Sequence, residues 1–594
     1  MKNTIKLYFN SLKLSFKLSF KASTFITFLR IVVMIVSSFV PIINAEAMKN
    51  IINNISIGEE KGAIQWLTIL GITQILSAVI GKIVNYLSSI HSDKISLIIS
   101  KDIIEKVNEL DISYFDNPKL YDELSNVTRD IQSIPNLIWI VFSSIQIIIK
   151  LCSASLILAN YIWWSPIIII LSCLPNFIID KKNAIKMYEW NRDTINDTRK
   201  MNYSYSTLTS KYFSKDIRLY QLKDYLYNKY SIQWKQWHSK KHQKLTKNFV
   251  SSFITMFLPN IVTLIFAALI MMGVFQNRFL LGDFSYYISI MSQLTTSVFG
   301  VIAIFSDIIA QKIKIEYYNA FKLWTSKVDT TGKDKLDSIE EIEFENVTFS
   351  YPNTKTIVLS DVSFKVKKGE KIGIVGKNGS GKTTLIKLLL RLYEPTKGKI
   401  LVNGKDIKSY DIKDYYQLTS SLMQDYINYS FSLKENIATA DIDFDLSSER
   451  IIKACECSDC YDFVKKWEKG IDEYLTKSFD ESGKELSGGQ WQKIALARFF
   501  YKKAALAILD EPSSSIDIES EKRIFNHLFE NCDDNILILI SHRLSNLNNM
   551  NKIIVMDEGK IVEKGTHVEL INKKSMYYKL YEIQKNKFNV TGGT

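Results

Sequence analysis

The sequence predicts two folds in series: an all-α domain of six membrane-spanning helices, then an α/β domain built around a phosphate-cradling loop. Three observations carry this. Six long apolar runs occupy the first 310 residues, and two long polar segments separate some of them. A polar stretch at 326–340 then gives way to short apolar strands alternating with amphipathic helices. At 594 residues the chain exceeds one ordinary core. Its formal charge of +13 fits either nucleic-acid binding or a membrane protein with basic cytoplasmic loops. The position of the charge decides between them.

The apolar runs lie near 23–45, 63–88, 135–160, 164–179, 249–275 and 286–310. A spanning helix needs about 20 residues, so the fourth run is short. Lys2, Lys6, Lys13, Lys17 and Lys21 precede the first run with no acid among them, which predicts a cytoplasmic N-terminus. The segment after the fourth run is equally basic, from Lys181, Lys182 and Lys186 through Arg192, Arg199 and Lys200 to Lys247. Outer loops are predicted at 46–61, 161–163 and 276–285. The positive charge is therefore topological, and nucleic acid is not needed to explain it. The expectation is a multi-pass protein with lipid bilayer around it and both termini cytoplasmic. Its abundance of Lys, Asn and Ile suggests a bacterial source. Residues 10–21 read as an amphipathic lead-in helix on the inner surface, with no signal-peptide cleavage pattern. The long cytoplasmic segments read as helical extensions that turn back at Phe115-Asp116-Asn117-Pro118 and near 215–220.

In the second half, a strand at 371–375 feeds Gly376-Lys377-Asn378-Gly379-Ser380-Gly381-Lys382-Thr383, followed by Thr384 and a helix. This is a P-loop: glycines let backbone N–H groups cradle phosphates, and the helix points its positive end at them. Lys382 is expected on the β- and γ-phosphates and Thr383 on Mg²⁺. A second strand, 506–509, ends in Asp510-Glu511. Asp510 reads as the second Mg²⁺ anchor and Glu511 as the carboxylate that polarises the attacking water. Between them lies Leu486-Ser487-Gly488-Gly489-Gln490, where Gly-Gly before a helix makes another anion-binding N-terminus.

These residues resemble the ATP-binding domain of the ABC superfamily over about 341–580. The resemblance implies an α/β P-loop ATPase with a helical subdomain, using ATP and Mg²⁺. Residue by residue, it implies that Tyr351 stacks on adenine and that Gln424 senses Mg²⁺ and the γ-phosphate. It further implies that Asp517 belongs to a loop coupling two sites across a dimer, and that His542 contacts the γ-phosphate. Lys382, Gln424, Glu511 and His542 then form the catalytic set; Thr383, Gln424 and Asp510 form the metal set.

The whole chain is similar to bacterial exporters with one six-span half ahead of one ATPase domain, giving boundaries at 1–325, 326–340 and 341–594. The run from Glu485 to Arg498, with 115–124 and 215–220, most resembles exporters of lantibiotics and related bacteriocins. That implies ATP-driven export of a peptide by alternating access, though multidrug and lipid pumps share the motor and leave the cargo open. A gated channel or sensor would use it too, whereas a non-transporting ATPase does not fit six oriented spans. Some peptide exporters carry an N-terminal cysteine protease; about 22 residues precede the first span here, so no leader cleavage is expected. The resemblance also implies a composite ATP site, with P-loop and signature from different chains. Lys382, Gln424, Asp510, Glu511, His542 and Ser487–Gln490 are all intact, which favours a homodimer; pairing with a degenerate partner stays open.

Cys455, Cys457 and Cys460 fall in a helical stretch with no evident fourth ligand and read as packing residues. His238 and His242 lie in a basic amphipathic run without a nearby acid. Lys150 falls well inside the third span, where a charge faces a cavity or is paired structurally. Arg30 lies near the inner end of the first span and is explained by snorkelling.

Overall fold

The computed structural model describes residues 15–117, 134–326, 328–441 and 447–591, with Lys13, Leu120, Glu123, Leu124, Val127 and Thr128. It divides into two compact units, Met1–Glu109 with Pro118–Trp324, and Leu110–Asn117 with Thr325–Thr594.

The first unit is helical. Residues 13 and 15–21 of the expected lead-in helix are helical, and 10–12 and 14 lie outside the described residues. Then come α1 (Thr24–Ile57) and α2 (Glu60–Glu109); the short α3 (Ser113–Asp116) belongs to the second unit. The first unit resumes with α4 (Ile134–Tyr161), α5 (Ser165–Asp193), α6 (Ile195–Thr209), α7 (Ser214–Leu219), α8 (Lys223–Phe275) and α9 (Leu281–Lys322). Ser23 caps α1 by accepting from the Ile26 N–H, and Gly58 closes it in the left-handed conformation at φ 77°. The helix thus outruns the predicted span end at 45, and the loop expected at 46–61 shrinks to Gly58 and Glu59. Glu46 and Lys49 ended the apolar run, not the helix. Lys49 instead pairs with Asp283 at 3.2 Å.

Helix α9 packs on α1, α4, α5 and α8 around Ala154, Leu158, Ile169, Ile290 and Leu294. At its start, Gly282 donates its N–H to Asn53 Oδ1 at 2.7 Å, and a Cβ there would sit 2.2 Å from the Lys49 carbonyl oxygen. Only glycine permits that approach. Among the described residues five helices are long and apolar enough to span: those at Thr24–Ile57, Glu60–Glu109, Ile138–Tyr161, Lys223–Phe275 and Leu281–Ile309. The fourth predicted span lies in α5, which falls short because Asp180, Lys181 and Lys182 end its apolar run. The second turn, predicted near 215–220, is α7.

The second unit holds two sheets. Its strands are β1 (Glu341–Phe349), β2 (Leu359–Lys367), β3 (Lys371–Gly376), β4 (Lys397–Val402), β5 (Lys405–Asp406), β6 (Thr419–Leu422), β7 (Leu506–Asp510), β8 (Ile536–Ile540), β9 (Lys552–Asp557) and β10 (Lys560–Gly565). The first sheet, β2-β1-β4-β5, is antiparallel; the second, β10-β9-β3-β8-β7-β6, is parallel except at β10. Strands β7 and β8 are buried along their whole length, which explains the unbroken apolar runs of β8 and of β7 up to Asp510. The helices are α10 (Lys382–Leu389), α11 (Ile412–Gln417), α12 (Leu433–Ala438), α13 (Ser448–Cys457), α14 (Tyr461–Val464), α15 (Gly488–Tyr501), α16 (Ile518–Asn531), α17 (His567–Asn572) and α18 (Met576–Thr591).

Helices α12–α14 form a helical subdomain whose core joins Leu433, Ile437, Ile451, Cys455, Cys460 and Ile494 of α15. The cysteines there are buried free thiols; the Cys460 thiol alongside, and then burial, push the Cys455 thiol up. The stretch read as a linker contributes Leu336 and Ile339 to the core between the sheets. The turn predicted at 115–118 is helical at Ser113–Asp116, and Pro118 lies outside the described residues. Within the second unit Ile112 packs on that same core, Tyr114 donates to the Thr325 carbonyl at 2.8 Å, and Tyr393 donates its hydroxyl to Asp116.

Candidate active site

Strands β3, β7 and β8 are parallel neighbours, and their carboxyl ends deliver Gly376, Asp510 and His542 to one edge of the sheet. That edge is where parallel α/β sheets leave a ligand crevice. The P-loop residues Lys377, Asn378, Gly379 and Ser380 leave β3 and turn into α10 through Gly381, whose φ of 98° suits glycine alone. Lys382 donates from Nζ to the carbonyls of Gly376 at 3.0 Å and Lys377 at 2.9 Å, so it is folded back on its own loop. Burial lowers its pKa, while Asp510 and Glu511 work against that shift.

Thr383 donates to Asp510 Oδ2 at 3.0 Å. Asp510 is 1% exposed, and its pKa is raised, chiefly by burial, with the Thr383 bond opposing. Its other oxygen, Oδ1, is buried without a hydrogen-bond partner, as is Ser380 Oγ. A buried carboxylate oxygen lacking a donor, beside a hydroxyl, is a hard-oxygen set suited to Mg²⁺. The residues present fit that ion.

The neighbouring cluster holds the proposed chemistry. Glu511 adopts φ 52°, with its N–H on the Ile540 carbonyl at 3.0 Å. Its carboxylate meets His542 Nε2 at 2.9 Å on one oxygen and Gln424 Nε2 at 3.4 Å on the other. Tyr351 packs edge-on against Phe349 and Tyr393, and its hydroxyl lies 3.1 Å from Thr384 Oγ1. The hydrogen bonds of Ser487 and Gln490 are spent on capping α15: Ser487 N–H donates to Gln490 Oε1 at 2.9 Å and Gln490 N–H to Ser487 Oγ at 3.3 Å. Gly488 and Gly489 open that helix. Asp517 caps α16 through the Ser520 N–H at 2.9 Å.

Two supporting residues escaped the sequence reading. Gln492, 1% exposed, donates to the Glu511 carbonyl at 3.2 Å and accepts from the Ser515 N–H at 2.8 Å, so it splints the loop that carries Glu511. Glu521 gathers Ser513, Arg543 and Asn546 around one buried carboxylate. A glutamine and a glutamate, each within a helical stretch, look ordinary in sequence; contacts across the fold reveal them.

Residues 359–514 match the ABC transporter family, and residues 23–298 match the ABC transporter transmembrane region. The subtilin transport ATP-binding protein of Bacillus subtilis is 32% identical over 96% of this chain and 93% of its own. The chain belongs to the ABC exporters. This exporter is also 27% identical to the nisin transport ATP-binding protein of Lactococcus lactis subsp. lactis, over 98% of this chain and 96% of that one. A putative multidrug export ATP-binding/permease protein of Bacillus subtilis is 38% identical, but over 43% of each chain. A bacterial Atm1-family ABC exporter with ATP bound shares the fold, with a TM-score of 0.74 at 19% identity over 94% of this chain and 98% of that one. The exporter therefore couples ATP hydrolysis to transport across a membrane.

Proposed function

We propose that this exporter moves a peptide of the lantibiotic class out of a bacterial cell, working as a homodimer in the cytoplasmic membrane. The supporting observation is the extent of similarity to the subtilin and nisin transport proteins, which takes in the membrane half that must meet the cargo. Similarity to the multidrug relative covers less than half of the chain. Parity supports six crossings: a basic N-terminus and a nucleotide-binding C-terminal half both belong in the cytoplasm, so α5 crosses as well, helped by its neighbours α8 and α9.

In this reading ATP draws Lys382 off the carbonyls of Gly376 and Lys377 and onto the β- and γ-phosphates, while Tyr351 stacks on adenine. Thr383 and Asp510 would hold Mg²⁺, with Gln424 beside them, and the ion would supply positive charge to offset that of the phosphates. Glu511 polarises the attacking water, and His542 leaves Glu511 to contact the γ-phosphate. The signature Ser487–Gln490 of a second copy closes each site, and two copies give two competent sites. Closure and reopening of those sites shift the membrane halves between inward- and outward-facing populations.

The test uses the chain expressed alone. Its mass in detergent is expected to be that of a dimer that hydrolyses ATP, and in vesicles it is expected to move a lanthionine peptide against a gradient. A stable monomer, or turnover that needs a second gene product, overturns the homodimer. Transport of dye or lipid in place of peptide overturns the cargo.

A further inference from the structure

The C-terminal helix α18 carries Tyr577, Leu580, Tyr581 and Gln584 at helical spacing along one face. The first three settle on the core that includes β8 and β9. Tyr577 is fully buried, its hydroxyl 2.8 Å from His567 Nδ1, and Glu563 accepts from the Met576 N–H at 2.5 Å. That seating brings Gln584 against the loop after β8. Its amide is used at both ends: Oε1 accepts from the Leu544 N–H at 3.0 Å, and Nε2 donates to the His542 carbonyl. A side-chain amide offers a neutral donor and an acceptor side by side. Gln584 therefore pairs with the loop much as a neighbouring strand would.

The same loop aims the His542 ring at Glu511, 2.9 Å away. Further ties along the loop hold Arg543, through Ser541 at 3.0 Å and through the Glu521 carboxylate, and Asn546, on that same carboxylate at 2.7 Å. With the His542 carbonyl fixed, the imidazole has two side-chain torsions left, and a displacement of even about 1 Å is costly at a reacting centre.

We infer that Gln584 is a positioning residue for ATP hydrolysis: its side-chain amide locks the peptide that carries His542. The inference rests on the γ-phosphate role proposed for His542. Gln584→Leu in the full chain keeps the bulk and removes both bonds. Its kcat for ATP is expected to fall about fivefold to tenfold with KM for ATP within about twofold. Leu580→Ala loosens the same helix without touching the loop, and its kcat per folded molecule is expected to stay within about twofold of wild type. Gln584→Glu keeps the acceptor for Leu544 but sets a carboxylate against the His542 carbonyl. Once protonated, the introduced carboxyl donates to that carbonyl instead. The kcat of this variant relative to wild type should therefore climb as pH falls from about 8 to about 5.5. A wild-type kcat in Gln584→Leu, an equal loss in Leu580→Ala, or a pH-independent Gln584→Glu ratio overturns the inference. His542→Ala separates the two claims: unimpaired turnover there overturns the His542 role, whereas slow His542→Ala with fast Gln584→Leu overturns the clamp alone.

Discussion

Along β8 every side chain from Ile536 to Ile540 is buried, whereas along α8 Phe249, Leu264 and Met272 stand exposed. The residue types are alike; their solvents differ. In the ATPase unit apolar groups escape water by packing on one another. In the membrane unit lipid is as apolar as leucine, so greasy side chains mark the outside and polar ones mark helix contacts. Thr255 of α8 accordingly donates to Asn176 of α5 at 2.7 Å, Asn183 of α5 to Ser251 of α8 at 3.0 Å, and Gln146 of α4 to Ser37 of α1 at 3.0 Å.

The sharpest contrast between the units is chemical. Glu511→Gln is expected to bind ATP yet slow hydrolysis on the order of 10²–10⁴-fold, the usual cost of losing a general base. Near-normal turnover in an ATPase assay would remove Glu511 from that role. Packing gives the next contrast. Ile538→Ala in β8 should destabilise the ATPase unit by about 2–5 kcal/mol, read as a fall in melting temperature. Leu264→Ala, on an exposed face of α8, should cost about 0.5 kcal/mol or less in lipid. Equal losses would mean that α8 is buried by something other than lipid.

Leu264→Arg sharpens this further: a cation on a lipid-facing helix should cost about 3 kcal/mol and lower the membrane-inserted yield. A lysine in place of Val568, which is exposed on the ATPase unit, should leave yield unchanged. The smallest effect concerns Asp459, which receives Lys493 and Arg523 at 2.7 Å each. Burial would raise its pKa, but hydrogen bonds from Arg523, Lys493 and Ser520 prevail and hold it well below the usual carboxylate range. A depressed folded-state pKa stabilises above the unfolded value of about 3.9 and loses that stabilisation as pH falls through the folded one. Asp459→Asn should therefore cost about 1–2 kcal/mol at pH 7 in chemical denaturation. That deficit should shrink in strong acid; one that grows there would reverse the sign.

The same contrast explains what could be read from sequence. Strand β8 was legible to the residue, because a run of Ile and Leu bounded by polar residues is a local signal. The P-loop was legible because its chemistry occupies eight consecutive positions. Helix α1 was misjudged at its far end because hydropathy reports where lipid stops, while the helix continues to the glycine that can break it. The short apolar run of α5 reflects dependence on neighbours, which no window along the chain can display. Gln492, Glu521 and Gln584 were invisible for a different reason: each acts on backbone or side chains distant in sequence, so its role exists only in the folded chain.

Asp116 in α3 accepts from Tyr393, whose ring meets that of Tyr351, whose hydroxyl in turn lies 3.1 Å from Thr384 beside the phosphate loop. Such a line of touching groups obeys reciprocity: if nucleotide narrows the positions open to Tyr351, it narrows those open to Asp116, and a load on Asp116 changes nucleotide affinity by the same factor. The turn at Ser113–Asp116 and the phosphate loop would then be two ends of one balance, and measuring the tilt at either end would weigh the other.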